Sequence, residues 1–259
     1  MIQSATQRAI EILSPPQDVN MGNDWYQYAN SQHFWIRRRF DVVRRLANLS
    51  PGESTETWGE VGCGHGLVQK QFESELGISV DGIDLNEHAL RQNVANRGRL
   101  FCYDVTSVNG VLDCSYDRLL LLDVIEHLDQ DVEFLKAASR MVRPGGKIYI
   151  NVPAFNHLFS SYDVAAGHLR RYNSTGIKQL VKSCELELGS WTYWGAPLVP
   201  LLWARRAMLA VIHTNHPIRH GFEVRKSWIN NLLIGLSQFE TVPQHFYGTS
   251  MMACVHVPS

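Results

Sequence analysis

Thr57-Trp58-Gly59-Glu60-Val61-Gly62-Cys63-Gly64-His65-Gly66 opens the part of the chain that decides the fold. A short aromatic and β-branched run ends in glycines at every second position. A stretch with helical spacing of apolar residues, 67–76, follows directly. The same alternation continues outward. Strands are predicted at Thr57–Val61, Val80–Leu85, Leu100–Val105, Arg118–Asp123 and Lys147–Val152, with helices at 67–76, 87–96 and 129–141 between them. Strands and helices alternating through short connections predict an α/β domain, a parallel sheet covered on both faces.

The flanks read differently. Residues 1–30 form a polar lead-in with Pro15-Pro16 and a turn at Met21-Gly22-Asn23-Asp24, and 31–49 place Ile36, Phe40, Val43 and Ala47 at helical spacing, closed by Ser50-Pro51-Gly52. Beyond 152, residues 154–172 read as an irregular aromatic and polar loop, 174–183 as a helix and 186–193 as a strand. Helices broken at Pro197, Pro200 and Pro217 fill 195–240, and Ser250–Val257 alternates like a strand. The organisation expected is an N-terminal helical cap, 1–50, on a main domain, 51–259, whose insertion at 195–240 serves as a lid or an interface.

Composition excludes several classes. A chain of 259 residues suits one large domain. With 24 Lys+Arg against 25 Asp+Glu it has no electrostatic footprint for nucleic acid. Of the 24 basic residues 18 are Arg, the better fork for a carboxylate or phosphate, so a small anionic ligand stays open. Five cysteines without a CxxC pair point to a reducing compartment, and the N-terminus lacks a signal-peptide design; a cytoplasmic location is expected. The apolar stretch Ala196–Ile212 is interrupted by Arg205-Arg206, so no transmembrane segment is expected, although contact with a membrane surface stays open.

The glycine loop carries the first functional signal. Glycines where a strand turns into a helix let the backbone approach a ligand and expose N–H groups at the helix start. Asp84, closing the second strand, stands where a carboxylate accepts hydrogen bonds from both hydroxyls of a ribose. A nucleoside-containing ligand follows. The dinucleotide fingerprint G-x-G-x-x-G would need a glycine where Leu67 stands, and no G-x-x-x-x-G-K-[ST] loop occurs.

Glu60-Val61-Gly62-Cys63-Gly64-His65-Gly66 resembles motif I of the class I S-adenosylmethionine-dependent methyltransferases, and further segments match in order. Asp84-Leu85 in GIDLNEHAL is similar to the family's ribose-binding segment, and Asp104-Val105 to the pair that contacts adenine. LLLLDVIEHL (119–128) and VRPGGKIYINVP (142–153) resemble the fourth-strand motif and the turn into the fifth strand. The resemblance implies a Rossmann-like, seven-stranded, mostly parallel sheet. It also implies S-adenosylmethionine as cofactor, S-adenosylhomocysteine as product, and cofactor contacts from Glu60, Gly62, Cys63, Gly64, Gly66, Asp84, Leu85, Asp104, Val105 and Asp123. His33-Phe34-Trp35-Ile36-Arg37-Arg38-Arg39 and the D-x-x-x-G-H-x-R-R-Y segment from Asp163 to Tyr172 resemble one branch of these enzymes, associated with glycan, lipid-linked or secondary-metabolite pathways.

Methyl transfer from a sulfonium is an in-line displacement, helped by positioning and exclusion of water. A hydroxyl or amine acceptor must lose a proton, which invites a base. His168 is the candidate base or, alternatively, a histidine that fixes its loop. Asp163 would orient His168, touch the acceptor or cap the loop; Tyr172 would close the pocket or pack. Arg170 and Arg171 would clamp an anionic acceptor or pair with surface carboxylates. His127 is expected to line the site, and Arg39 to reach the cofactor carboxylate or an acidic substrate, or to sit on a solvated basic helix face. His213, His216 and His220 cluster in sequence without zinc spacing or cysteine partners, so no metal is expected. The expectation is methyl transfer, preferably to oxygen, on a small-molecule or glycan- or lipid-linked acceptor. The alternatives are an NAD-dependent oxidoreductase and a non-catalytic S-adenosylmethionine-binding module.

Overall fold

Leu119, Leu120, Leu121 and Leu122 are all buried, and they alternate between two hydrophobic clusters. Apolar side chains on both faces are stable only in the interior of a sheet that is covered twice. The computed structural model describes residues 8–17, 31–52, 54–107, 109–211 and 227–259. Its strands are β1 (Ile10–Ile12), β2 (Trp58–Val61), β3 (Val80–Asp84), β4 (Leu100–Cys102), β5 (Tyr116–Leu122), β6 (Val142–Pro153), β7 (Glu187–Trp194) and β8 (Ser250–His256). They form one sheet in the order β1-β4-β3-β2-β5-β6-β8-β7. Pairings from β1 to β6 are parallel, and β8 runs antiparallel to both β6 and β7.

The helices are α1 (Phe34–Leu46), α2 (Leu67–Gln71), α3 (Glu87–Arg91), α4 (Asp131–Arg140), α5 (Ser161–Ala165), α6 (Ser174–Ser183), α7 (Val199–Val211) and α8 (Ser227–Gln238). One face of the sheet buries Leu135 and Ala138 of α4 with Ile177, Leu180 and Val181 of α6 against Leu119, Leu121, Ile148 and Ile150. The other buries Phe40, Val42 and Val43 of α1 with Val68 and Phe72 against Trp58, Leu120, Tyr149 and Trp194. Helix α1, read from sequence as part of a cap, thus shares the cluster of the central strands. His33 caps its N-terminus by accepting from the Trp35 N–H.

The sheet has eight strands, not the seven expected. Ile10–Ile12, within the supposed lead-in, pairs with Leu100–Cys102 and covers what would be an open edge. The predicted strand Leu100–Val105 stops at Cys102, because the Asp104 carboxylate takes the N–H and hydroxyl of Thr106 and turns the chain. The helix predicted at 87–96 ends at Arg91, and Asn93 then caps the Ala95 N–H in a turn. The helix over 67–76 is α-helical only to Gln71 and continues as a π-turn, Phe72–Leu76. Within 154–172 a capping box between Ser160 and Asp163 starts α5, so that loop is not wholly irregular.

In the 195–240 segment α8 packs on the start of α1. Asn230 Oδ1 accepts from the Phe34 N–H at 2.9 Å, and Leu233 joins Phe34 and Leu198 in a small cluster. No helix among the described residues is long and apolar enough to cross a membrane. The turn at Met21–Asp24, the break at Pro217 and the histidines 213, 216 and 220 lie outside the described residues.

Candidate functional site

The chain departs from β2 to build β3 and β4 on one side and returns to build β5 and β6 on the other, so the strand order reverses at β2. Ligands of open parallel sheets bind beyond the carboxyl ends of the strands at such a point. Three positive-φ glycines form the loop there: Gly62 (φ 74°), Gly64 (φ 53°) and Gly66 (φ 81°), the last being the N-cap of α2. The Gly62 and Cys63 N–H groups donate to the Ile83 carbonyl at 2.8 and 3.2 Å. The Gly64 N–H donates to Asp84 Oδ2 at 2.7 Å, and the Asn86 N–H to Asp84 Oδ1 at 2.8 Å. One carboxylate therefore ties the loop to the end of β3. Burial raises its pKa, against the pull of those backbone hydrogen bonds.

Glu60 is buried at the loop's start, and its Oε2 has no hydrogen-bond partner. Burial pushes its carboxyl up to about 8, offset in part by the Arg39 charge and reinforced by Asp84. A cation brought to this place by a ligand would restore the ionised form. Burial also pushes the Cys63 thiol well up, so Cys63 is no nucleophile. The positive-φ glycine loop, the Asp84 carboxylate at the end of β3 and the underpartnered Glu60 fit the amino-acid and nucleoside ends of S-adenosylmethionine. Asp104 has its N–H on Ser14 Oγ (2.7 Å) and its carboxylate on Thr106, and Gln17 N–H donates to the Leu85 carbonyl at 3.0 Å. The N-terminal segment thus borders the place expected for adenine beside Val105, which is buried.

At the mouth of β5, Asp123 has a positive φ of 61°, uncommon for a non-glycine residue. Its Oδ1 accepts from Asn151 Nδ2 at 2.8 Å and its Oδ2 pairs with buried Arg39. Asn151, fully buried, in turn accepts from Trp194 Nε1 at 2.8 Å. Arg39 thus faces inward, off the solvated face that was its alternative.

The turn Ile125–His127 follows, bonded to the loop after β6. The Leu169 N–H donates to the Glu126 carbonyl at 2.8 Å, and His127 Nδ1 donates to the Gly167 carbonyl at 3.0 Å. His168 lies against His127, ring centroids 4.8 Å apart, and its Nδ1 donates to Asp163 Oδ1 at 2.9 Å. Asp163 is fully buried and also accepts from Arg171 Nε at 2.8 Å and from the Ser160 N–H at 2.8 Å. Burial alone would raise its pKa, but the His168 hydrogen bond and the Arg171 charge outweigh that and hold it below the ordinary range. Burial, then the neighbouring His168, lowers His127 to about 4.

The arginines expected to clamp an anion are engaged elsewhere. Arg171 is buried against Asp163 and the Ala154 carbonyl, and Arg170 pairs with Asp131 at 3.0 Å. Tyr172 donates to the same Asp131 at 2.7 Å. These three side chains are held by Asp131, Asp163 and backbone carbonyls, and so fix the loop in place. Sequence reasoning passed over Glu126, whose carboxylate is fully buried, and the Asn151 and Trp194 that extend the Arg39–Asp123 pair. Asn151 carries a sequence signal, a polar residue inside an otherwise apolar strand.

Residues 59–150 match a family model described as a methyltransferase domain. This part of the chain thus resembles a methyltransferase domain on a Rossmann-like fold, and S-adenosylmethionine is the cofactor that the match supports. Among curated relatives, a ubiquinone biosynthesis O-methyltransferase of Idiomarina loihiensis is 32% identical over 139 residues, 49% of this chain and 56% of that protein. Phosphoethanolamine N-methyltransferase 2 of Caenorhabditis elegans is 26% identical over 55% of this chain and 34% of its own length. The chain therefore spans only 34% to 56% of the length of these relatives. Among solved structures, Haemonchus contortus phosphoethanolamine N-methyltransferase 2 with phosphomonomethylethanolamine and S-adenosylhomocysteine superposes at a TM-score of 0.54. It is 16% identical, over 87% of this chain and 53% of that one. The [4+2]-cyclase SpnF superposes at 0.57 with 14% identity, over 89% and 85%. Likeness at this level is likeness of fold, and the fold hosts more than one reaction.

Proposed function

We propose that the protein transfers the methyl group of S-adenosylmethionine to an oxygen of a small-molecule or glycan- or lipid-linked acceptor. It acts in a reducing compartment, in keeping with five unpaired cysteines. The reading extends the branch resemblance carried by His33–Arg39 and Asp163–Tyr172. The observation that carries it is the approach of two oriented imidazoles, His127 and His168, at the carboxyl edge that holds the glycine loop. Each has its Nδ1 committed to a fixed acceptor, which leaves Nε2 as the nitrogen directed to a ligand. The hydroxyl of the acceptor is activated at this pair, while Asp163 holds His168 in register as a positioning residue. An acceptor that arrives deprotonated would need neither imidazole.

The test is methyl transfer from labelled S-adenosylmethionine to a panel of hydroxylated acceptors, with amine and carboxylate acceptors alongside. Turnover confined to hydroxylated acceptors, and lost with His168→Gln at unchanged S-adenosylhomocysteine affinity, is the expected result. Equal turnover of wild type and variant would remove the imidazole pair from the reaction. Binding of cofactor with no turnover on any acceptor favours the non-catalytic module.

A further inference from the structure

Glu126 is wholly buried, yet neither of its carboxylate oxygens has a hydrogen-bond partner. His127 Nε2 is likewise buried and unpartnered, 4.0 Å from Glu126 Oε1. One ligand atom each from Glu126, His127 and His168 lie within 4.8 Å of one another. Folds do not leave buried polar atoms unsatisfied without a reason, least of all three that converge. We propose that Glu126, His127 and His168 form a binding site for one divalent first-row transition-metal ion, through the Glu126 carboxylate and the Nε2 atoms of both histidines.

The surroundings have the form such a site requires. A metal-binding histidine donates its other ring N–H to a carboxylate or a backbone carbonyl, which fixes its tautomer. His168 does so to Asp163 at 2.9 Å and His127 to the Gly167 carbonyl at 3.0 Å. The Leu169 N–H on the Glu126 carbonyl ties the two ligand-bearing segments together at 2.8 Å. Two imidazoles and one carboxylate suit zinc or iron(II) with positions left open for a further ligand. Bonds of about 2.1 Å in a tetrahedral site separate ligand atoms by roughly 3.4 Å, so the cluster, 4.8 Å at its widest, would close by about 1.4 Å. No such expectation follows from sequence alone, because the ligands come from two segments far apart in the chain and no cysteine takes part.

The assignment of the site stands on these atoms, and only its chemistry rests on the proposed methyl transfer. A hydroxyl held on the ion would lose its proton more readily, and His168 would then serve as a ligand and not as the base. The probe is Co2+, followed by visible absorption and calorimetry on the full chain. His213→Ala, His216→Ala and His220→Ala together form the background, so that those imidazoles do not compete. Expected is one Co2+ per chain with ligand-field bands, weakened at least about 100-fold by Glu126→Gln and, separately, by His168→Gln. S-adenosylhomocysteine binding reports that each variant is folded. No stoichiometric Co2+ in the parent, or equal affinity in parent and both variants, overturns the proposal. Co2+ binding without methyl transfer would leave the metal site standing and sink the reaction proposed for it.

Discussion

Gly62→Ala tests how tightly the cofactor loop is joined to the turn that carries Glu126 and His127. Gly62 has φ 74°, and a Cβ built on it would lie 2.6 Å from Val124 Cγ2, closer than real contacts allow. The left-handed conformation costs an L-residue about 1–2 kcal/mol. Forcing a methyl group against Val124 adds roughly 1–3 kcal/mol. Together they destabilise the protein by about 2–5 kcal/mol. The two parts separate in a double-mutant cycle, since Val124→Ala removes the clash but leaves the backbone strain. Urea unfolding of wild type, both single variants and the double variant gives the four free energies. The expected coupling is about 1–3 kcal/mol in favour of the double variant, with a residual deficit of about 1–2 kcal/mol. Gly62→Ala within about 0.5 kcal/mol of wild type, a surface-like value, or a double variant no better than the sum of the singles, would refute the reasoning.

The remaining expectations concern charge and burial. Asp163→Asn breaks a pair in which Arg171 and Asp163 are both buried and should cost about 3–5 kcal/mol in denaturant unfolding, whereas Arg170→Ala at a part-exposed pair should cost about 1 kcal/mol or less. Equal losses would show that burial does not decide their worth. Asn151→Ala strips partners from Asp123 and Trp194 and should lower stability by about 2–4 kcal/mol; a change under about 1 kcal/mol would mean that water replaces both bonds. Burial lifts the Glu60 carboxyl from an ordinary 4.5 to about 8, so its neutral form is favoured by folding. Its contribution is fully present below the lower value and is lost as pH rises through about 8. The melting temperature of the ligand-free protein should fall less steeply between pH 6 and 9 in Glu60→Gln than in wild type, and parallel profiles would place the titration elsewhere.

Much of the central sheet was legible because its signals are local. Glycines at 62, 64 and 66 are needed by positive φ, and Leu119–Leu122 are apolar on both faces. What escaped depends on distant partners. Ile10–Ile12 becomes a strand only because the edge of β4 is there to receive it. Arg170, Arg171 and Tyr172 look like substrate groups in sequence, but Asp131 and Asp163 claim them in the fold. His127 was expected to line the site, but Glu126 beside it gains a role only when His168 is brought against the pair from the loop after β6. Local pattern thus announced the glycine loop, and tertiary contact built the cluster around His127 and His168.

The most direct test of the account is calorimetric titration with S-adenosylhomocysteine, with NAD as control, on wild type and Asp84→Ala. Asp84 holds the Gly64 and Asn86 N–H groups and is the carboxylate proposed to bind the ribose. Losing even one charged hydrogen bond of about 1.5–3 kcal/mol there weakens binding by roughly 10- to 100-fold. The account expects stoichiometric S-adenosylhomocysteine binding to wild type, at least that loss in the variant, and no heat with NAD. Binding of NAD in place of S-adenosylhomocysteine, or equal affinity in wild type and Asp84→Ala, would contradict it.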